Sequence, residues 1–341
     1  MAAQTNLRVQ LDAFNIKDPV ASVSLTSAPI PEPAEGEVLV RVTLRPVNPA
    51  DVFSLQGVYP GFRPASMPAV PGLEGTGTVV HNGPGASKFA PGQRVSGAPF
   101  DTVEHGSGTW QQYIVAKESS LVAVPDGVSE EAAAQFWVNP VTVVGMLNVL
   151  DVPQGEYLLQ TAAGSVLGRQ MVQLAKSRGI RTINVVRRQE LADELKALGA
   201  DEVVVSVQGE GLVDKVKEIT GGRGAYGAIE CIGGDIFAQV CGAVRDNGTV
   251  LIYGAMSGLT ATYAIPDLLF RGVKVSGFWL MPYTNSLPAE ERAKLLDGVM
   301  QLLKDGVITP YAGNRFSLEQ VKEAVAVATS SARGGKALLE G

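Results

Sequence analysis

The alternation of apolar and polar residues changes its period about a third of the way along the chain. Before residue 125, short runs alternate with a period of two between turns rich in glycine and proline. Such runs are typical of half-buried strands, because successive side chains point to opposite faces. The pattern predicts strands at residues 38–47, 77–81, 94–98 and 111–115. We therefore expect a β-rich first domain.

Beyond residue 129, apolar runs of strand length alternate with segments of helical period. Strands are predicted at 157–162, 182–186, 202–205, 227–232, 248–254 and 273–279, and helices at 169–178, 190–198, 212–220, 235–244 and 290–304. Strands that alternate with helices indicate βαβ units and a parallel sheet covered on both faces. The predicted fold class is therefore α/β: a β-rich domain joined to a doubly wound, parallel-sheet (Rossmann) nucleotide-binding domain.

The composition of the chain limits which classes of binding partner are expected. The chain has 341 residues, of which 45% are hydrophobic and 18% charged, and its formal net charge is −6. An acidic chain without a basic run binds polyanions poorly, so no nucleic-acid partner is expected. The longest apolar stretch, residues 132–150, contains Asn139 and Pro140 and lacks basic flanks. These features predict a buried helix and no membrane span.

Few residues are available for thiol or imidazole chemistry. The two cysteines, Cys231 and Cys241, cannot supply a disulfide framework or a tetrahedral zinc site, and Cys231 is expected to pack in the core. The two histidines, His81 and His105, are expected at the surface. The first ten residues lack a signal or transit pattern, which favours a cytoplasmic protein. The mitochondrial matrix is the alternative if the chain is a mature form.

The apolar run 157–162 leads through a turn directly into a helix. A dinucleotide-binding turn usually places glycines at the bend, at the approach to the pyrophosphate and at the helix–strand contact. Only Gly168 stands at its expected place, whereas Ala163 and Ser165 occupy the first two positions. An ordinary strand-to-helix turn is the alternative. The surrounding βα units favour a cofactor phosphate bound at the helix N-terminus.

The end of the next strand indicates which nicotinamide cofactor binds. A cofactor without a 2′-phosphate favours an acidic residue there, which bonds the ribose hydroxyl. This chain instead has Arg187, Arg188 and Gln189. Because a guanidinium binds a phosphate bidentately, the sequence predicts NADPH with Arg187 as the main contact. Two surface arginines at a solvated helix start are the alternative.

Two further motifs, Asn-Pro-Ala-Asp at 48–51 and Gly-Leu-Glu-Gly-Thr-Gly at 72–77, resemble those of the medium-chain dehydrogenase/reductase superfamily. Zinc-dependent members carry a cysteine near the first motif and a histidine in the second. Here Leu73 stands in place of that histidine, and no cysteine precedes residue 231. The resemblance therefore implies no metal. Glu74 is expected to be a hydrogen-bonded structural carboxylate, and Asp51 to brace its loop.

Among the zinc-free members, the chain resembles the mitochondrial-type trans-2-enoyl-CoA/ACP reductases, and the matching stretches span nearly its whole length. They are residues 48–60, 108–110, 138–142, 182–187, 253–256 and 277–280, together with Lys336. The resemblance implies a GroES-like catalytic domain at 1–125 and 307–341 and a Rossmann domain at 126–306. It implies Tyr59 and Trp279 as catalytic residues. The cofactor-binding residues it implies are Asn139, Gly164, Ser165, Val166, Leu167, Gly168, Arg187, Arg188, Gln189, Tyr253, Gly254, Ala255, Met256, Phe278, Trp279, Leu280 and Lys336.

The activity implied is reduction of the C2=C3 bond of a trans-2-enoyl thioester, on CoA or acyl carrier protein, in fatty-acid synthesis. Without a metal, the charge that develops on the thioester oxygen needs fixed hydrogen-bond donors. Tyr59 would polarise the carbonyl or deliver the α-proton. A lid residue that only packs on substrate is the alternative for Tyr59. A half-buried core aromatic at a strand end is the alternative for Trp279, and a helix N-cap for Asn139.

Two other functions remain open at this point. A zinc-free quinone or alkenal reductase shares the fold and the hydride donor. A nucleotide-binding protein without turnover would bind NADPH and consume none. A homodimer is expected through the predicted edge of the sheet, residues 248–279, which is rich in β-branched side chains.

Overall fold

The computed structural model describes residues 5–330 and 334–341. The chain divides into two compact units, residues 1–138 with 293–341 and residues 139–292. The division falls at 138/139 and 292/293 rather than at the expected 125/126 and 306/307. Residues 126–138 join the first unit because Ser96 Oγ donates to the carbonyl of Ala133 at 2.9 Å. Ala134 also packs with Leu44 and Leu338.

The first unit is built on a mixed sheet. Its elements are β1 (Thr5–Leu11), β2 (Val23–Pro29), β3 (Glu37–Pro46), α1 (Pro49–Gln56), β4 (Thr76–Asn82), β5 (Arg94–Gly97), β6 (Tyr113–Lys117), β7 (Leu121–Ala123) and α2 (Glu130–Ala134). The main sheet has the order β14-β15-β3-β4-β5-β7, with β6 also on β3, while β1 and β2 form a separate pair. The late strands β14 (Ala312–Ser317) and β15 (Lys336–Glu340) flank α11 (Val321–Thr329). The predicted β-rich character is confirmed.

The second unit holds a parallel sheet. Its elements are α3 (Val138–Leu150), β8 (Tyr157–Gln160), α4 (Val166–Ser177), β9 (Arg181–Val186), α5 (Gln189–Leu198), β10 (Glu202–Val205), α6 (Leu212–Ile219), β11 (Ala225–Glu230), α7 (Ile236–Ala243), β12 (Val244–Ile252), α8 (Ile265–Leu269), β13 (Lys274–Gly277) and α9 (Leu280–Ser286). A further helix, α10 (Ala289–Lys304), crosses the division. The strand order β10-β9-β8-β11-β12-β13 is that of a Rossmann domain, so the predicted fold class is confirmed.

Several elements were not expected from local pattern. β12 begins at Val244, although Arg245, Asp246 and Asn247 interrupt the apolar run there. α1 begins at Pro49 with Asn48 as its N-cap, and the Asn-x-x-Asp spacing of a capping box marks that start. Within residues 5–330 and 334–341, none of the helices combines the length and the apolar composition that a membrane crossing requires.

Candidate cofactor and catalytic residues

The parallel sheet brings most of the predicted cofactor residues to one edge. Residues 164–168 follow β8, 187–189 follow β9, 253–256 follow β12 and 278–280 follow β13. Because these strands run parallel, their carboxyl ends share an edge of the sheet. Ligands of open α/β sheets bind outside this edge. The arrangement therefore fits a dinucleotide.

The turn after β8, where a cofactor phosphate is predicted to bind, leads into a capped helix N-terminus. Ser165 is the N-cap of α4, and its Oγ accepts the N–H of Gly168 at 3.0 Å. The N–H groups of Val166 and Leu167 precede it in the first turn, where a helix offers no internal acceptor. A Cβ at position 168 would lie 2.5 Å from the carbonyl oxygen of Ala163, so the close approach of α4 to the turn requires glycine there.

A ladder of buried amides fixes this turn to the sheet. Gln160 Nε2 donates to the carbonyl of Gly168 at 3.0 Å and to Asn184 Oδ1 at 2.6 Å. Asn184 Nδ2 donates in turn to Thr182 Oγ1 and to the carbonyl of Glu202, both at 2.9 Å. The first turn of α4 is thus tied to β9. Sequence reasoning missed this role, although amides inside apolar strands are a usable signal.

The residues predicted to distinguish NADPH from NADH are exposed to solvent. Arg187 directly follows β9 and is exposed, as are Arg188 and Gln189. Arg188 is the N-cap residue of α5 and makes no side-chain capping bond. An exposed guanidinium at this edge can meet a 2′-phosphate without losing an existing partner.

The segment after β12 is held by its neighbour strand. Tyr253 N–H donates to the carbonyl of Glu230 at 2.9 Å, and Met256 N–H to that of Cys231 at 2.8 Å. A Cβ at Gly254 would lie 2.9 Å from Cys231 Cβ, so the close approach favours glycine. Ala255 is half-buried. Burial raises the pKa of the Cys231 thiol to about 12, in agreement with the predicted packing role.

Glu230 is a buried carboxylate that sequence reasoning did not single out. It ends β11 and is fully buried, which raises its pKa. Its oxygens accept the N–H groups of Ile232 at 2.6 Å and Gly233 at 3.1 Å, and the hydroxyl of Thr161 at 3.2 Å. These bonds shape the loop that leads away from β11 at the same edge.

Residues 278–280, which follow β13, lie partly in the interior and partly at the surface. Phe278 and Leu280 are buried, and the ring of Phe278 lies 5.1 Å from that of Tyr283. Trp279 is 41% exposed, which is compatible both with a residue beside the cofactor and with the half-buried aromatic kept as the alternative. Asn139 is buried inside the first turn of α3, which begins at Val138, and is not its N-cap. The roles predicted for these residues stay predictions.

In the first unit, Tyr59 is held on a compact turn. α1 ends at Gly57, whose left-handed φ of +76° suits glycine. Tyr59 packs against two hydrophobic clusters, and its carbonyl accepts the N–H of Phe62 at 3.3 Å. A Cβ at Gly61 would lie 2.6 Å from Cε1 of the Tyr59 ring. The position of the ring thus requires glycine at 61, and Tyr59 itself is partly exposed.

A buried polar cluster of Asn48, Asp51, Glu74 and Lys336 lies at the start of the same helix. Lys336 Nζ donates to Asn48 Oδ1 at 2.5 Å, and Asn48 Nδ2 donates to Glu74 Oε1 at 2.9 Å. Lys336, expected as a cofactor contact, is 5% exposed and bonded within this cluster. Its predicted role stays a prediction.

Both carboxylates of the polar cluster bind backbone N–H groups. Glu74 Oε2 accepts those of Trp137 at 3.0 Å and Val138 at 2.8 Å. Asp51 accepts those of Asn48 at 2.6 Å and Leu73 at 2.9 Å. The bracing roles expected for Asp51 and Glu74 are confirmed. Burial raises the pKa of Glu74, and it raises that of Asp51 to about 7.

The position that carries the zinc-ligand histidine in related enzymes is apolar here. Leu73 is buried, and its N–H is the one that Asp51 accepts. Across the part of the chain that the structure describes, histidine, cysteine and carboxylate side chains form no group of three suited to a metal ion. His81 and His105 are exposed, as expected.

The chain matches two protein families that together cover both units. Residues 34–126 match the alcohol dehydrogenase GroES-like domain, and residues 166–297 match the family described as zinc-binding dehydrogenase. Solved structures support the same assignment. A quinone oxidoreductase from Pseudomonas syringae aligns with a TM-score of 0.87 at 25% identity, covering 99% of this chain and 100% of that one. A mycobacterial protein in complex with NADPH aligns with a TM-score of 0.85 at 26% identity, over 99% and 100%.

Curated relatives are closer in sequence. The mitochondrial enoyl-[acyl-carrier-protein] reductase of Arabidopsis thaliana is 35% identical over 295 residues, which cover 84% of this chain and 76% of that protein. Its namesake from Xenopus tropicalis is 33% identical over 90% of this chain and 88% of its own. The chain therefore belongs to the medium-chain dehydrogenase/reductase family, in the group that contains the mitochondrial-type enoyl reductases and the quinone oxidoreductases.

Proposed function

We propose that this oxidoreductase is an NADPH-dependent trans-2-enoyl thioester reductase. The observation that carries the proposal is Tyr59, a partly exposed phenol just after α1 in a chain 35% identical to an enoyl-acyl-carrier-protein reductase. The substrate would be an enoyl chain on CoA or acyl carrier protein in fatty-acid synthesis. The mitochondrial names of the relatives support the matrix as its compartment.

The second unit supplies the residues for NADPH. The first-turn N–H groups of α4 and the positive end of its dipole suit the pyrophosphate. Arg187 suits the 2′-phosphate, because a guanidinium meets phosphate oxygens with paired N–H donors. Bound NADPH supplies the hydride for the β-carbon of the enoyl group.

Tyr59 would stabilise the charge that builds on the thioester oxygen during this transfer. Its O–H donates to that oxygen, or passes a proton to the α-carbon directly or through water. The Tyr59 ring lies over Gly61, where a larger residue would occupy its place. A donor fixed before the reaction needs little reorganisation as the charge develops.

The direct test is an NADPH-oxidation assay with crotonyl-CoA. We expect Tyr59→Phe to lower kcat by about 100-fold, the size typical of lost acid–base catalysis. Tyr113→Phe is the matched control, since Tyr113 is a partly buried tyrosine on β6 of the same unit. Unchanged kcat in Tyr59→Phe would remove the phenol from the chemistry and leave it a packing role.

A quinone or alkenal reductase is the second candidate, and the likeness to a quinone oxidoreductase structure favours it. Parallel assays with crotonyl-CoA, a benzoquinone and an alkenal separate the two by kcat/KM. NADPH binding without its consumption on any of the three substrates would point instead to a binding protein.

We also propose that two copies pair through the edge of the parallel sheet. β13 ends the strand order, and its four residues are exposed. Nearby Leu269 and Phe270 are 68% and 80% exposed. An open strand edge beside exposed apolar side chains such as Leu269 and Phe270 is a surface that proteins normally cover, and a second copy would extend the sheet. Light scattering should give a dimer, and Val275→Lys should give a folded monomer.

A further inference from the structure

A basic cavity of about 450 Å³ opens on the second unit. Its wall carries Lys217, Arg223, Arg245 and Arg271, with Asp246 also on the wall. We call this the basic cavity. Its wall is basic although the formal net charge of the chain is −6.

The basic cavity lies at the sheet edge opposite the predicted cofactor residues. Arg223 precedes the amino end of β11 by two residues, and Arg245 is the second residue of β12. These strands run parallel to each other and to β8, whose carboxyl end leads to the phosphate turn. A ligand in the basic cavity would therefore be separate from the dinucleotide.

Two of the four cations already have carboxylate partners. Arg271 bonds Asp246 at 3.0 Å and Asp267 at 2.8 Å. Arg223 bonds Glu156 at 3.1 Å. Of these three carboxylates only Asp246 lines the cavity, so its wall, with four cations, carries a net positive charge.

The excess charge resides on Lys217 and Arg245. In the described parts of the chain, neither side chain has an ion-pair partner. The Arg245 guanidinium lies with its Cζ 3.6 Å from the centroid of the Tyr226 ring, and its Nε is buried without a hydrogen-bond partner. The aromatic ring holds the guanidinium in place, so less side-chain entropy is lost when its N–H groups bind a ligand.

We propose that the basic cavity binds a small phosphate-bearing anion, with Arg245 and Lys217 as its principal contacts. A guanidinium bonds two phosphate oxygens at once, and an ammonium adds a point charge. A volume of about 450 Å³ admits a pyrophosphate or a small phosphate ester, since ligand pockets span about 300–1,000 Å³.

Isothermal titration calorimetry of the full chain tests this site, with saturating NADPH present and ionic strength held constant. Inorganic pyrophosphate is the probe, and ADP is a second probe that distinguishes a phosphate ester from a free anion. Saturable binding is expected, weakened about tenfold by Arg245→Met and by Lys217→Met. Lys215→Met is the matched control, because Lys215 lies on the same helix, pairs with Glu218 and does not line the cavity.

Each outcome of the titrations either supports the proposed site or overturns it. Binding that survives Lys215→Met and weakens in both cavity variants supports the site, and tighter binding of ADP than of pyrophosphate assigns it to a phosphate ester. Absence of saturable binding to the unmodified chain would overturn the proposal. Equal weakening by Lys215→Met and Lys217→Met would also overturn it, because the effect would then be one of overall charge.

Discussion

The ammonium of Lys336 donates a hydrogen bond to Oδ1 of Asn48 at 2.5 Å, across 288 residues of sequence. The first residue of β15 is thereby attached to the N-cap of α1, the helix that leads to Tyr59. Asn48 extends the contact to Glu74 through its Nδ2. The helix carrying the proposed catalytic turn is thus anchored to the last strand of the sheet.

Removal of the buried ammonium should destabilise the fold. Burial raises the pKa values of Asp51 and Glu74, and the positive charge of Lys336 opposes that rise. Lys336→Met would therefore leave two buried carboxyls without their nearby cation. We expect a loss of about 3 kcal/mol in the free energy of unfolding, the size typical of a broken buried pair. Denaturant unfolding measures it. Lys322→Met, exposed on α11, is the control and should change little.

Asp51 should give stability a distinctive pH dependence. Burial raises its pKa from 3.8 to about 7, so the folded protein holds a proton that the unfolded chain has released in that range. Stability contributed by Asp51 therefore falls as pH rises from about 4 to about 7. The free energy of unfolding of the unmodified chain minus that of Asp51→Asn should decrease across this window. Parallel curves would contradict the assignment.

Arg187 should discriminate between the two nicotinamide cofactors. Arg187→Gln removes the predicted partner of the 2′-phosphate, so KM for NADPH should rise about tenfold or more while KM for NADH stays the same. Arg181→Gln is a control at the other end of the same strand. Steady-state kinetics with both cofactors decides, and an equal rise for NADPH and NADH would refute the assignment.

The two cysteines should be inert in the native protein. Burial raises the pKa of Cys231 and that of Cys241 to about 12, and only the thiolate reacts with alkylating agents. Mass spectrometry after iodoacetamide treatment at about pH 8 should show both thiols unmodified until denaturant is added. Rapid native labelling of Cys231 would instead indicate an accessible thiolate at the cofactor edge.

Local pattern predicted the parallel sheet well, because buried parallel strands are short apolar runs between helices. The runs at 182–186 and 202–205 correspond to β9 and β10 nearly residue for residue. The pair β1 and β2 was not predicted. Its antiparallel register, Thr5 opposite Pro29 to Leu11 opposite Val23, joins segments separated by a long loop.

Candidate site residues could be predicted from the sequence only where a charged or polar side chain directly follows the end of a strand. Arg187 has that property, because it is the first residue after β9, and its cofactor role stays a prediction. Asn48, Glu74 and Lys336 assemble from three distant segments, so no spacing indicates their contact. Lys336 shows the difficulty most clearly, since its resemblance to a cofactor residue gave no sign of the buried amide that it bonds.

The hydrogen bonds of Glu74 bear on whether a metal ion could bind beside it. One of its oxygens accepts the Asn48 amide and the other accepts the N–H groups of Trp137 and Val138. A Leu73→His change would introduce an imidazole, but the neighbouring Glu74 carboxylate could turn toward an ion only by releasing three donors. Two of those donors are backbone N–H groups, so a single histidine would not be enough to create a metal site beside Glu74.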